Sequence, residues 1–165
     1  FFLNNIDIQF KNENDKQRIF LDNEDVTELI RDPEVTNLSS PISALQPVRE
    51  AMVALQKSYG KNGGVVMEGR DIGTVVMPQA EVKIFLIASL YERTKRRHLE
   101  LQSKGVEKDF YELEKEILAR DVRDSTREIS PLTKAQDAIE IDTTNLSIEE
   151  QVKKIVTIAK ERTNK

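Results

Sequence analysis

Glu68, Gly69, Arg70 and Asp71 follow directly on the apolar run Val65-Val66-Met67. This order sets charges of both signs at the end of a segment that reads as a buried strand, with Gly69 letting the chain turn. Ligands of open α/β sheets sit beyond the carboxyl ends of the strands. A guanidinium there can fork onto phosphate or carboxylate oxygens, and a carboxylate can accept from amino or hydroxyl groups. The plainer alternative is a tight turn carrying a surface Arg70–Asp71 pair. A second charged group is Arg120, Asp121, Arg123, Asp124 and Arg127. Phe110, Leu113 and Ile117 form the apolar stripe of a helix predicted over 109–124. Steps of three or four carry that stripe on to Arg120 and Asp124, and to Arg127 if the helix persists. Charges on the inward face imply a polar pocket at the helix end; an ordinary i,i+4 ion pair is the alternative.

Two weaker constellations accompany these. Arg93, Lys95, Arg96, Arg97 and His98 lie on a helix predicted from Ser89 to about Ser103. Cations late in a helix suit its dipole, so a solvated basic face explains them. The functional version is a mobile phosphate clamp hinged at Gly105. His98 reads as a surface or interface residue rather than a base. Ser40 and Arg49 share the next helix upstream, where Arg49 borders Leu45 and Met52. An arginine whose stem packs while its head reaches water fits equally well.

The composition narrows the chemistry. The 165 residues suit one domain with a core and a small appendage, at 33% charged, 5% aromatic and net charge −4. The balance argues against a basic nucleic-acid footprint. No run approaches the ~20 apolar residues of a membrane span. With no cysteine and one histidine, thiol nucleophiles, zinc–thiolate sites and histidine-rich metal sites are excluded, and no metal-ligating set is expected. Arginine and carboxylate are plentiful, which suits charge stabilisation in phosphoryl transfer. The chain opens on Phe1-Phe2-Leu3 without a methionine and reads as part of a longer protein.

Residues 1–38 form one region and 39–165 another. In the first, alternation at Ile6, Ile8 and Phe10 and a second strand at 18–21 predict a hairpin turning over 12–16. Residues 23–25 read as a further turn, and 26–31 as a short helix ended before Pro33. From Ser39 the pattern becomes α/β. Ser40 with Pro41 predicts a helix start, with Ile42, Leu45, Val48, Met52, Leu55 and Tyr59 inward. Strands are predicted at 64–67, 74–77, 82–87 and 138–141. Ser89/Glu92, Asp109/Glu112 and Ser147/Glu150 are capping boxes. The last helix turns Ile148, Val152, Ile155, Val156 and Ala159 inward. Alternating strands and helices predict a parallel sheet flanked by helices. The phosphate loop G-x-x-x-x-G-K-[ST] is absent from these residues: Gly60-Lys61 lacks the preceding glycine, and Gly63-Gly64 leads into a strand.

Taken together, Pro47-Val48-Arg49, Gly69-Arg70-Asp71-Ile72-Gly73-Thr74-Val75-Val76, Glu92-Arg93 with Arg96-Arg97, Ala119-Arg120-Asp121 through Arg127, Ser130-Pro131-Leu132 and Asp142-Thr143-Thr144 before Leu146-Ser147-Ile148-Glu149 resemble the bacterial cytidylate kinase family over essentially the whole chain. The second and fourth pieces are specific in combination. The resemblance implies an α/β, P-loop-kinase-like fold without its N-terminal strand and phosphate loop. Residues 1–38 correspond to the insert of the monophosphate-binding region, and 39–165 to the kinase core with an arginine-rich lid near 93–106. It implies transfer of a phosphoryl group from ATP, with Mg²⁺, to CMP or dCMP.

Residue by residue, Ser40, Arg49 and Asp71 fall where the family reads cytosine. Arg120 and Asp124 fall where it holds the ribose hydroxyls, Arg70 and Arg127 where it grips the acceptor phosphate, and Arg96 and Arg97 in the lid. Glu68 departs from the family's usual aspartate, keeping the carboxylate on a longer arm. A monomeric cytoplasmic enzyme with no nucleic-acid or membrane partner is expected. A non-catalytic module binding pyrimidine monophosphates, and an interaction domain whose arginines are surface pairs, are the competing readings.

Overall fold

The computed structural model describes residues 6–14 and 16–163. They divide into two compact units, Phe1–Lys61 and Asn62–Lys165. Residue 38, where the sequence pattern changes, lies inside a helix of the first unit.

In the first unit β1 (Ile8–Glu13), β2 (Lys16–Leu21) and β3 (Glu24–Asp25) form an antiparallel sheet in that order. β1 and β2 pair as far as Glu13 opposite Lys16, so the hairpin is tighter than the expected turn over 12–16. The second turn is not at 23–25. It is Asp22-Asn23, with φ +50° and +70°, the two left-handed residues of a hairpin turn that suits the strand twist. Glu24 and Asp25 therefore pair back onto β2. Thr27 locks this corner, accepting from the Ile19 amide at 2.8 Å. A 3₁₀ turn, Leu29–Arg31, precedes α1 (Pro33–Ser43).

The helix start expected at Ser40-Pro41 is corrected. Asp32 caps α1 by accepting from the Glu34 amide at 2.8 Å, and Pro33 is its first residue. Asp-Pro and Ser-Pro carry the same start signal, and the earlier one is used, leaving Pro41 near the end of α1. The chain breaks at Ala44-Leu45, and α2 (Gln46–Gly60) opens with Pro47 in its first turn. The single stripe expected from Ile42 to Tyr59 is thus split, with Ile42 and Leu45 exposed. At the far end of α2, Tyr59 stacks edge-on against Phe10 at 5.4 Å and donates to the Ile8 carbonyl at 2.8 Å.

In the second unit β4 (Ile84–Ile87) and β5 (Ile139–Asp142) form a parallel pair, Ile84 opposite Ile139 and Ile87 opposite Asp142. They are flanked by α3 (Leu90–Ser103), α4 (Phe110–Thr126) and α5 (Ile148–Thr163). This is the parallel sheet with flanking helices that the alternation predicts. The buried apolar residues are Val76, Leu101, Leu113 and Ile141 among those described.

Ser89 and Asp109 cap α3 and α4 through the Glu92 and Glu112 amides, while Ser147 and Glu150 bond reciprocally, 2.8 and 3.2 Å, at the start of α5. Gly105, at φ +74°, ends α3 in the left-handed region, and the Val106 amide returns to the Leu101 carbonyl at 2.9 Å.

Two expected strands do not form. Residues 64–68 pair with nothing among the described residues, and Val66 is fully exposed. Ile72–Val76 is a π-helical turn, its Met77 amide bonding the Ile72 carbonyl at 2.7 Å. The inward face expected of α5 is also corrected, since Ile148, Val152 and Val156 are exposed. No described helix is long and apolar enough to cross a membrane.

Candidate functional site

Asp71 opens the π-turn. Its carbonyl takes the Val75 amide at 2.9 Å and the Val76 amide at 3.3 Å, and its side chain is buried. The turn is steric as well as hydrogen-bonded: a Cβ on Gly69 would stand 2.9 Å from Ile72 Cγ1. Glycine at 69 therefore lets Ile72 pack back against the chain. π-turns are rare and recur at functional sites.

The opposing wall is the C-terminal part of α4. Leu113 and Asp124 are its buried residues, so the stripe does pass from apolar to charged on one face, as the spacing implies. The helix stops at Thr126, and Arg127 is extended, at φ −62° and ψ 144°. It still turns inward, because Nε donates to the Ser130 carbonyl at 2.6 Å and the Leu132 amide returns to the Asp124 carbonyl at 2.7 Å.

Asp124 is the hub of the cluster. Its Oδ2 lies 3.2 Å from Arg70 Nε and 3.7 Å from Arg120 Nε, and its Oδ1 4.0 Å from Arg127 Nη1. Arg127 Nη2 stands 3.9 Å from Asp71 Oδ1. The side chains of Asp71, Asp124 and Arg127 are less than one-tenth exposed, whereas those of Arg70 and Arg120 are 38% and 39% exposed. The site thus has a buried ionic floor and an open rim of guanidinium groups. Arg93 joins it from α3, with Nη1 2.5 Å from Asp121 Oδ2. Arg70, Arg93, Arg120 and Arg127 outnumber Asp71, Asp121 and Asp124 by one charge. Such a rim suits a polyanion such as a phosphoryl group.

The other expected lid arginines lie outside this cluster. Arg96 is held by Glu92 at 3.0 Å and by the Thr143 carbonyl at 2.6 Å. Arg97 bonds Glu100 at 2.7 Å. Hydrogen bonds from Lys104 and then Arg97 hold the Glu100 carboxyl below its ordinary range. Ser40 and Arg49 belong to the first unit, where both are buried. Arg49 Nε donates to the Ser43 carbonyl at 2.8 Å, a cation placed at the C-terminus of α1.

A family model for cytidylate kinase matches residues 2–161. The chain belongs to the cytidylate kinase family. It is 56% identical over 155 residues to the cytidylate kinase of Enterococcus faecalis, covering 94% of this chain and 69% of that one. Against the cytidylate kinase of a Geobacillus species it is 56% identical over 160 residues, 97% of this chain and 71% of the relative. For Bacillus cytotoxicus the figures are 52% over 163 residues, 99% and 72%. Membership makes this chain a nucleoside monophosphate kinase, an enzyme of phosphoryl transfer with a P-loop-kinase-like fold. Nothing in these relatives supports the non-catalytic alternative.

One pair in this cluster, Arg93 with Asp121, is not signalled by the sequence. Both residues stand inside charged runs of the sequence, but their meeting depends on how α3 packs against α4. No spacing along either helix signals that approach.

Proposed function

We propose that this kinase moves the terminal phosphoryl group of ATP onto CMP or dCMP, giving CDP or dCDP. The observation that carries the reading is the arginine cluster around Asp124, with its buried floor and cationic rim, in a member of this family. In the proposed roles Arg70 and Arg127 hold the acceptor phosphate, and Arg120 and Asp124 the ribose hydroxyls. Ser40, Arg49 and Asp71 each read the cytosine ring. Arg96 and Arg97 act from the lid near 93–106, which requires them to leave Thr143 and Glu100. Residues 1–38 are the insert of the monophosphate-binding region.

The reaction builds negative charge on the phosphoryl oxygens, and arginines already fixed in place meet it without reorganising. The arrangement also fixes the acceptor, turning a bimolecular encounter into a positioned one. No covalent intermediate is required. ATP is proposed to arrive with Mg²⁺, which neutralises phosphate charge when bound. The described residues do not make a cage for that ion. No three of their carboxylates or imidazoles converge, and Asp71, Asp121 and Asp124 face guanidinium groups. A monomer acting in the cytoplasm completes the reading.

The test is steady-state ADP formation by the enzyme with CMP, dCMP, UMP and AMP in turn. CMP or dCMP should give the highest kcat/KM. Equal turnover with AMP, or none with CMP, would overturn the assignment.

A further inference from the structure

Asp121 has no role in the scheme above, yet it touches arginines from two different segments outside its own helix. Its Oδ2 takes Arg93 Nη1 of α3 at 2.5 Å, and its Oδ1 faces Arg70 Nη2 at 3.9 Å. Arg93 is anchored a second time, its Nε donating to the Ala88 carbonyl, between β4 and α3, at 3.1 Å. Arg70 is anchored a second time by Asp124 at Nε, 3.2 Å away. Arg93 is thus held by hydrogen bonds through Nε and Nη1, and Arg70 by ion pairs through Nε and Nη2. Nη1 of Arg70 and Nη2 of Arg93 make no hydrogen bond with any described residue. Two like charges converge only when a carboxylate stands between them. Asp121 is also only 22% exposed, so its interaction is less screened than that of a surface pair.

We infer that Asp121 is a positioning residue: it presents the open ends of Arg70 and Arg93 side by side, so that both meet the phosphoryl group in transfer. This makes Arg93, rather than Arg96 or Arg97, the α3 arginine already set for the reaction. Arg96 and Arg97 are engaged elsewhere by Thr143, Glu92 and Glu100. The inference rests on the assignment of Arg70 to the acceptor phosphate. Asp121 itself touches no substrate; it acts by keeping two guanidiniums at fixed separation and orientation.

The experiment is a double-mutant cycle in the enzyme, reading kcat, KM for CMP and the thermal midpoint. Asp121→Asn keeps the shape of the side chain and removes its charge. Its kcat should fall about tenfold or more, since misorientation of a transferring group's contacts is costly, while KM for CMP moves less than about threefold. Combining Asp121→Asn with Arg93→Ala should lose little beyond the larger single loss, because both remove one unit. Arg93→Lys retains charge and loses the fork, so it serves as the second probe if Asp121→Asn is poorly folded. Its kcat should also fall.

Arg70→Ala separates the two levels. If it leaves kcat and KM unchanged, the acceptor-phosphate assignment itself fails. If it lowers turnover while Asp121→Asn or Arg93→Lys keeps kcat within about twofold of the parent, the positioning role alone is overturned. Losses from Asp121→Asn and Arg93→Ala that add in full would overturn it too.

Discussion

Asp124 sits with its side chain 4% exposed among Arg70, Arg120 and Arg127, so removing it has two separable effects. Arg127, itself buried, is left with Asp71 as a counterion, 3.9 Å away, and breaking a buried pair from one side costs about 3 kcal/mol. Asp124→Ala should therefore lower the urea midpoint of unfolding. It should also raise KM for CMP more than KM for ATP, and equal rises would contradict a ribose contact. Asp71→Asn tests base reading. The amide adds a donor where the carboxylate only accepts, so the ratio of kcat/KM for CMP over UMP should shift, and an unchanged ratio would remove Asp71 from that role. The inward turn of Asp124 was legible in the sequence because Leu113, Ile117, Arg120 and Asp124 follow one helical stripe. The Arg93–Asp121 contact was not, because a helix's own period says nothing about which neighbour meets it.

Among the elements, the turn after Gly69 shows where pattern reading stops. Thr74-Val75-Val76-Met77 is β-branched and apolar, the composition of a strand. The chain instead closes i→i−5 bonds over Ile72–Val76 and buries Val76. What decides this is packing around Asp71 and Ile72, which no local propensity encodes. The same lesson applies at α1, where two Xaa-Pro pairs carry one signal and only Asp32-Pro33 starts the helix. The capping pairs of α3, α4 and α5 were legible because the amide and its acceptor are three residues apart in every helix. The glycine supplies a test at this scale. In Gly69→Ala the new methyl must displace Ile72 from 2.9 Å, an overpacking worth about 1–3 kcal/mol. Its thermal midpoint should fall, and kcat should fall with it as Arg70 shifts. A variant with the parent's midpoint and kcat would show that the close approach is not required.

For the molecule as a whole, composition and alternation were enough for an α/β chain with a parallel sheet, because strand-sized apolar runs alternate with capped helical stripes along the second unit. They overstated the core. Ile148, Val152 and Val156 repeat at the right intervals and Val66 stands in an apolar run, yet all four are exposed; a pattern identifies an apolar face and not what covers it. Much of the charged third of the sequence ties the surface together. Those ties set the response to acid.

Asp137 is held below the ordinary carboxylate range chiefly by the hydrogen bond from Lys83, Asp142 by Thr144, Asp25 by Thr27 and Glu100 by Lys104. A carboxyl whose folded value is depressed binds its proton more readily in the unfolded chain. Its contribution is complete above the unfolded value and is lost as pH falls through the folded one. Each carboxyl keeps contact with solvent, so each increment is small. Together they should leave the urea midpoint level between neutrality and about pH 5, then lower it steadily below about pH 4. Denaturation curves across that range are the check. A midpoint that rose on acidification below the carboxylate range would mean that these bonds do not hold in solution. Lys83→Met, which removes the donor from Asp137, should make the acid-side decline shallower than the parent's without moving where it begins for the other three.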